Sequence, residues 1–161
     1  MTEERPVAVF DVDGVVADVR HRLHHLSRRP KNWPGFFAAA GRDPALDIGV
    51  QLAREYAEGH RLVWLTGRPE HLRPVTERWL ATHGLPVAEL LMRPAHDRRP
   101  ARHFKADQLA SLGGTGQVAV VVDDDPEVVA YLGEKGWPVR LADWVPYREP
   151  LREAQERDGR T

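Results

Sequence analysis

The 161-residue chain has no cysteine, which excludes disulfides and thiolate metal sites and fits a reducing compartment. Its first residues, MTEERP, are charged and lack an apolar h-region, and no stretch approaches the ~18 consecutive apolar residues of a membrane span. The expectation is a soluble, cytoplasmic protein with no membrane partner. An excess of one charge sign is missing too. With 23 Lys and Arg against 24 Asp and Glu, the net charge is -1, so only local clustering can speak for a polyanionic partner. The length suits one domain with its own core, residues 1–161.

What is present is organised around Val7 to Asp18, VAVFDVDGVVAD. An apolar run of this kind predicts a strand buried on both faces of a parallel sheet. Asp11 and Asp13 then emerge at its carboxyl end, the edge where open α/β sheets bind ligands. Two carboxylates so close repel unless a cation or a shared proton relieves them. Further short apolar runs, Leu62 to Leu65, Val87 to Met92, Val118 to Val122 and Val139 to Leu141, alternate with segments of helical periodicity that stop near Gly59, Gly84, Gly113 and Gly136. This alternation predicts a doubly wound parallel α/β sheet. Far more residues separate the first two strands than the dozen or so that a crossover needs. The excess, about residues 18–44, reads as a small, partly helical cap inserted after the first strand. The polar segment from Glu149 is expected to fray.

Three of the apolar runs end in polar sets: Asp11 with Asp13, Thr66 with Gly67, and Asp123 with Asp124. If the first strand is central, these sets converge. Converging carboxylates suit Mg2+, which favours a few carboxylates together with waters and phosphate oxygens. An aspartate beside such a cation is a nucleophile for phosphorus, and the transferred group needs a hydroxyl, N–H groups and a lysine around it. Asp125, followed by Pro126 and Glu127, reads instead as a helix N-cap. His21, His24 and His25 lack partners at zinc-ligand spacing, and Trp33, Phe36 and Phe37 read as the cap's own small core.

DVDGV, Thr66 in LTGRP, Lys105 before the fourth strand and VVVDDDPE, in that order, together resemble the haloacid dehalogenase superfamily of phosphatases. The resemblance implies Asp11 as nucleophile and Asp13 as general acid and base. Thr66 and Lys105 then hold and neutralise the phosphoryl group. Asp11, Asp13 (through its main-chain carbonyl), Asp123 and Asp124 make up the Mg2+ site. TGRPE, ERWL, LMRPAHDRRP, KADQL and VDDDPEVV are more closely similar to the 3'-phosphatase domain of phage-type polynucleotide kinase-phosphatases. The kinase half is missing, since no GxxxxGK[ST] loop occurs. Val15 departs from the superfamily's frequent Thr and is shared with deoxyribonucleotidases.

Two basic segments bracket the motifs. One is RHRLHHLSRRPK from Arg20 to Lys31, and the other holds Arg93, Arg98, Arg99 and Arg102. They suit a polyanion. The candidate substrate-binding residues are therefore Gly14, Gly67, Arg68, Arg20, Arg93 and Arg99. The expectation is a Mg2+-dependent phosphomonoesterase acting on the 3'-phosphorylated end of a nucleic acid or on a nucleotide, with a separate kinase or ligase as a possible partner. The competing readings are a 5'(3')-deoxyribonucleotidase or other small-metabolite phosphatase, and an idle relative that only binds nucleic acid.

Overall fold

The computed structural model describes residues 5–87 and 89–161; residues 1–4 of the charged N-terminus and Ala88 lie outside it. Five strands, β1 (Val7–Phe10), β2 (Arg61–Pro69), β3 (Leu90–Arg93), β4 (Val118–Asp123) and β5 (Val139–Leu141), form one sheet in the order β3-β2-β1-β4-β5. Every neighbouring pair is parallel. The chain runs outward from β1 to β3, then returns to β4 on the other side. The order therefore reverses between β1 and β4, and the crevice of such a sheet opens at that point.

Side chains alternate across the sheet as the pleat requires. Ala8, Phe10, Leu62 and Trp64 join one apolar cluster, and Val7, Val9, Val63 and Leu65 the other. The register of β4 against β1 slips between Val7 and Ala8, so Val7 faces Val118 and Ala8 faces Val120. That bulge is why Val118 and Val121 share one face while Val120 and Val122 share the opposite one. Helices α3 (Asp47–Gly59) and α4 (Arg73–Thr82) cover the first face through Val50, Ala53, Trp79 and Leu80. Helices α5 (Ala101–Ser111) and α6 (Pro126–Glu134) cover the second through Phe104, Leu109, Val128 and Leu132. Each such fully buried apolar side chain contributes about 1.5–3 kcal/mol.

Between β1 and α3 the chain makes two short helices, α1 (His24–Ser27) and α2 (Trp33–Ala38), flanked by single 3-10 turns. The segment leaves and returns through a pinched neck. Asp18 N donates to Pro44 O and Leu46 N to Val16 O, both at 2.8 Å. Inside it Phe36 and Phe37 are buried, and Trp33 is half-buried against them.

Segment 149–161 departs from the expectation that it frays. It forms α7 (Glu149–Arg152), followed by a wider helical turn through Glu153–Arg157, and buries Leu151, Ala154, Gln155 and Thr161. Its polar composition concealed two apolar anchors at helical spacing and a set of acids that meet basic partners.

Candidate active site

β1 ends at Phe10, but its ladder continues one step further, with Asp11 N donating to Val122 O at 3.0 Å. This places Asp11 beside Asp123 at the sheet's switch point. Lys105, on α5, reaches both, with Nζ 3.1 Å from Asp11 Oδ2 and 2.5 Å from Asp123 Oδ2. Asp124 is the next residue along. Oxygens of Asp11, Asp123 and Asp124 lie within 4.8 Å of one another, and Asp124 comes so close to the turn after β1 that a Cβ on Gly14 (φ +76°) would collide with its carboxylate. All four charged groups are buried. Burial, and then the neighbouring carboxylates Asp123 and Asp13, push Asp11 up to about 7 against the pull of Lys105. Burial, and then Asp11 and Asp123, raise Asp124 well above the carboxylate range.

Three carboxylates facing one ammonium leave two negative charges in a dry pocket when all are ionised, which one divalent cation would balance. Asp124 Oδ1 is buried without a hydrogen-bond partner, and so is Asp11 Oδ2 apart from its ion pair. An all-oxygen donor set of this kind fits a hard cation such as Mg2+.

Asp13, only two residues on, points into different surroundings. Its Oδ1 accepts from Arg68 at 2.6 and 2.9 Å and from Arg22 at 3.3 Å, and Thr161 Oγ1 lies 3.3 Å from its Oδ2. Both guanidiniums also bind Asp43, Arg22 at 2.8 and 2.9 Å and Arg68 at 2.9 Å. Thr76 Oγ1 and Phe36 O take the remaining donors. Burial would raise the Asp13 carboxyl, but Arg68 and then Arg22 outweigh it and hold it below the usual range. Arg22 and Asp43 were not singled out in the sequence. The available signal was that Asp43 is the only acid between Asp18 and Asp47.

The other candidate residues divide into near and far. Thr66 is buried beside the site, its Oγ1 accepting from Arg68 N at 3.1 Å. Gly67 is packed directly under the Thr161 backbone. Arg93 is buried but ties down a loop, donating to Gly67 O, Asp97 O and Arg99 O. Arg20 pairs with Asp18, and Arg99 pairs with Asp97 and Asp107 on the exposed surface. The structure therefore brings together Asp11, Asp123, Asp124 and Lys105, and beside them Asp13, Arg68, Gly14, Thr66 and Gly67. The guanidiniums of Arg20 and Arg99 are engaged elsewhere, whereas Arg93 meets the site through Gly67 O and keeps its Nη2 buried without a hydrogen-bond partner. Asp125 caps α6, accepting from Glu127 N at 2.9 Å. His21 Nε2 lies 2.6 Å from Asp43 Oδ1. Val15 is fully buried in the apolar core.

A five-stranded parallel sheet with a carboxylate–lysine cluster at its switch point and an insertion after β1 places the chain in the haloacid dehalogenase class to which its family belongs. A haloacid dehalogenase-like hydrolase from Streptococcus pneumoniae superposes with a TM-score of 0.65 over 95% of this chain and 92% of its own, at 10% identity. The chain belongs to the family of the polynucleotide kinase PNKP phosphatase domain, which matches residues 5–140. Two structures of the Pnkp1/Rnl/Hen1 complex, one of them described as an RNA repair complex, are similar in fold, with TM-scores of 0.71 and 0.73 and identities of 23% and 22%. They cover 92% and 91% of this chain, which spans only 46% and 49% of theirs. A class C acid phosphatase from Bacillus anthracis gives a TM-score of 0.57 at 19% identity over 76% of this chain and 53% of its own. No curated protein sequence matches.

Proposed function

We propose that the protein removes the 3'-phosphate from polynucleotide ends through an aspartyl-phosphate on Asp11, with Mg2+ as cofactor. The observation that carries this is the division of labour between Asp11 and Asp13. One lies in a cation-hungry carboxylate cluster and the other, two residues on, in a guanidinium cradle, both at the carboxyl end of β1.

Asp11, Asp123 and Asp124 would hold the ion, with the Asp13 main-chain carbonyl, since the Asp13 side chain is committed to Arg68. When bound, Mg2+ neutralises phosphoryl oxygens and restores the ionised form of the carboxylates around it. The Asp11 carboxylate attacks phosphorus as the ester P–O bond breaks, and the departing 3'-oxygen takes a proton from Asp13. A water then attacks phosphorus and gives its proton to Asp13 as the bond to Asp11 opens, releasing inorganic phosphate. Lys105, together with the Thr66 hydroxyl and the N–H groups that follow it, answers the charge on the transferred group. Asp13 sits in its base form, ready for the second step. For the first step a phosphoryl dianion must draw Arg68 and Arg22 toward itself, which raises the proton affinity of Asp13.

The polynucleotide substrate rests on the family and on the basic segments around the crevice. The likeness to a Pnkp1/Rnl/Hen1 complex supports a separate kinase or ligase as partner. Val15, the residue shared with deoxyribonucleotidases, is buried in the core, and turnover of mononucleotides against oligonucleotides separates the two readings.

The test is turnover of a 3'-phosphorylated oligonucleotide beside its 5'-phosphorylated isomer and mononucleotides, with Mg2+ or EDTA. The 3'-phosphorylated oligonucleotide is expected to lead, and Asp11→Asn or EDTA to abolish phosphate release. Faster hydrolysis of mononucleotides overturns the substrate, and full activity in Asp11→Asn overturns the mechanism.

A further inference from the structure

A groove of about 550 Å³ runs beside the crevice, walled by Arg29, Lys31 and Trp33 of the insertion and by Arg98 of the loop after β3. Its opposite wall is the segment after α7, which contributes Glu153, Arg157, Asp158 and Arg160 and narrows it. Glu153 and Asp158 both reach Lys31 Nζ at 2.5 Å, and Glu153 also pairs with Arg29 at 3.3 Å. Alongside the groove, Glu156 reaches Arg102 at 2.5 Å. The Arg160 guanidinium lies 4.8 Å from the Trp33 ring centre and covers one of its faces. The backbone of Thr161 rests on Gly67 so tightly that a Cβ there would collide with it, and its hydroxyl is 3.3 Å from Asp13.

Segment 153–161 thus lays acids against the basic walls, a planar cation on the half-buried indole, and the Thr161 backbone over Gly67. A nucleic-acid strand would offer the same chemistry in the same places: phosphates for Arg29 and Lys31, a base for Trp33, and a terminal phosphate over Gly67.

We propose that this groove is the track along which a polynucleotide reaches Asp11, and that residues 156–161 are a built-in plug that the strand displaces. The inference rests on the polynucleotide reading above. Leu151, Ala154 and Gln155 are buried and remain as the anchor. Beyond them the segment is held by part-exposed ion pairs, which are weak and salt-screened, by the backbone bonds of Asp158 N to Glu153 O and Arg160 N to Ala154 O, and by the seat of Gly159. Gly159 has φ +60°, and a Cβ there would collide with the Arg98 carbonyl. A polyanion competing for Lys31 and Arg29 therefore meets a plug with little apolar burial.

Gly159→Val breaks the seat without touching the catalytic groups, and Asp158→Lys turns one of its ion pairs repulsive in case the first variant folds poorly. The unaltered 161-residue chain and both variants are compared by hydrogen exchange and by turnover of a 3'-phosphorylated oligonucleotide and of p-nitrophenyl phosphate. Both variants are expected to lose exchange protection over 157–161 and to lower the oligonucleotide KM by about five-fold. A saturating oligonucleotide without a 3'-phosphate is expected to deprotect the same amides in the unaltered protein. Oligonucleotide-saturated protein that keeps this protection, or deprotected variants whose oligonucleotide KM is unchanged or raised, overturns the proposal. Failure of the unaltered protein to hydrolyse any oligonucleotide while it hydrolyses p-nitrophenyl phosphate identifies the substrate reading as the failed step.

Discussion

Asp11 shares a buried pocket with two more carboxylates and one lysine, whereas Asp13 is gripped by two guanidiniums. The consequences run in opposite directions with pH. Asp11 is raised to about 7 by burial and then by its acidic neighbours, so between about 4 and 7 the folded chain holds a proton that the unfolded chain has lost. Its contribution without metal is stability that falls as pH rises through that window. Asp13, lowered, contributes stability that is present above its unfolded value and lost as pH falls through its folded one. Thermal unfolding of metal-free protein is therefore expected to show a lower Tm at pH 7.5 than at pH 5, and added Mg2+ to restore it at the higher pH. Asp11→Asn is expected to raise the metal-free Tm and to remove the Mg2+ response, read by the same scans. Arg68→Lys replaces a fork that serves Asp13, Asp43 and Thr76 with a single ammonium, and steady-state assays are expected to show kcat down about 10²–10³-fold. Asp11, Asp13, Thr66 and Asp124 stood out in the sequence because each sits at or near the end of an apolar run, and Lys105 because it falls between them in the order of the family's motifs. Arg22 and Asp43 did not, because their partnership crosses the insertion and bridges distant positions.

At the level of elements, the runs with uninterrupted Val, Leu and Ala gave their strands away, since a central parallel strand is buried on both faces. The edge was harder to read. The third strand, expected over Val87 to Met92, is found at Leu90–Arg93, and the helix after it, marked in the sequence only by its stop near Gly113, runs over Ala101–Ser111. Arginine and proline surround both, and their periodicity is too short to set a boundary. The β1 turn depends on one backbone conformation. Gly14→Ala must place a methyl at φ +76° against Asp124, so a loss of about 1–3 kcal/mol in chemical denaturation is expected, together with weaker Mg2+ binding by calorimetry. In the insertion, Asn32 caps α2 by accepting from Gly35 N at 3.0 Å. Asn32→Ala is expected to cost about 1 kcal/mol, measured by denaturant unfolding, and to loosen the support of Trp33 and Phe37.

Across the whole molecule, the convergence of three strand ends was legible because a doubly wound sheet has only one switch point. The behaviour of segment 149–161 was not, because its acids find their partners more than fifty residues away, at Arg29, Lys31 and Arg102. Charge complementarity between remote segments leaves no periodic trace. The same arrangement supplies the molecule with an optical reporter. Of its five tryptophans, Trp64 and Trp79 are buried in the core and donate to Pro86 O and Asp43 O, and Trp144 donates to Val15 O. Trp33, by contrast, has Lys31 Nζ 5.7 Å from its ring centre and the Arg160 guanidinium at 4.8 Å. Replacing that guanidinium by water or by a nucleobase changes the emission of one indole while the core tryptophans stay constant, so occupancy of the groove can be followed in real time by intrinsic fluorescence, with Trp33→Phe as the blank.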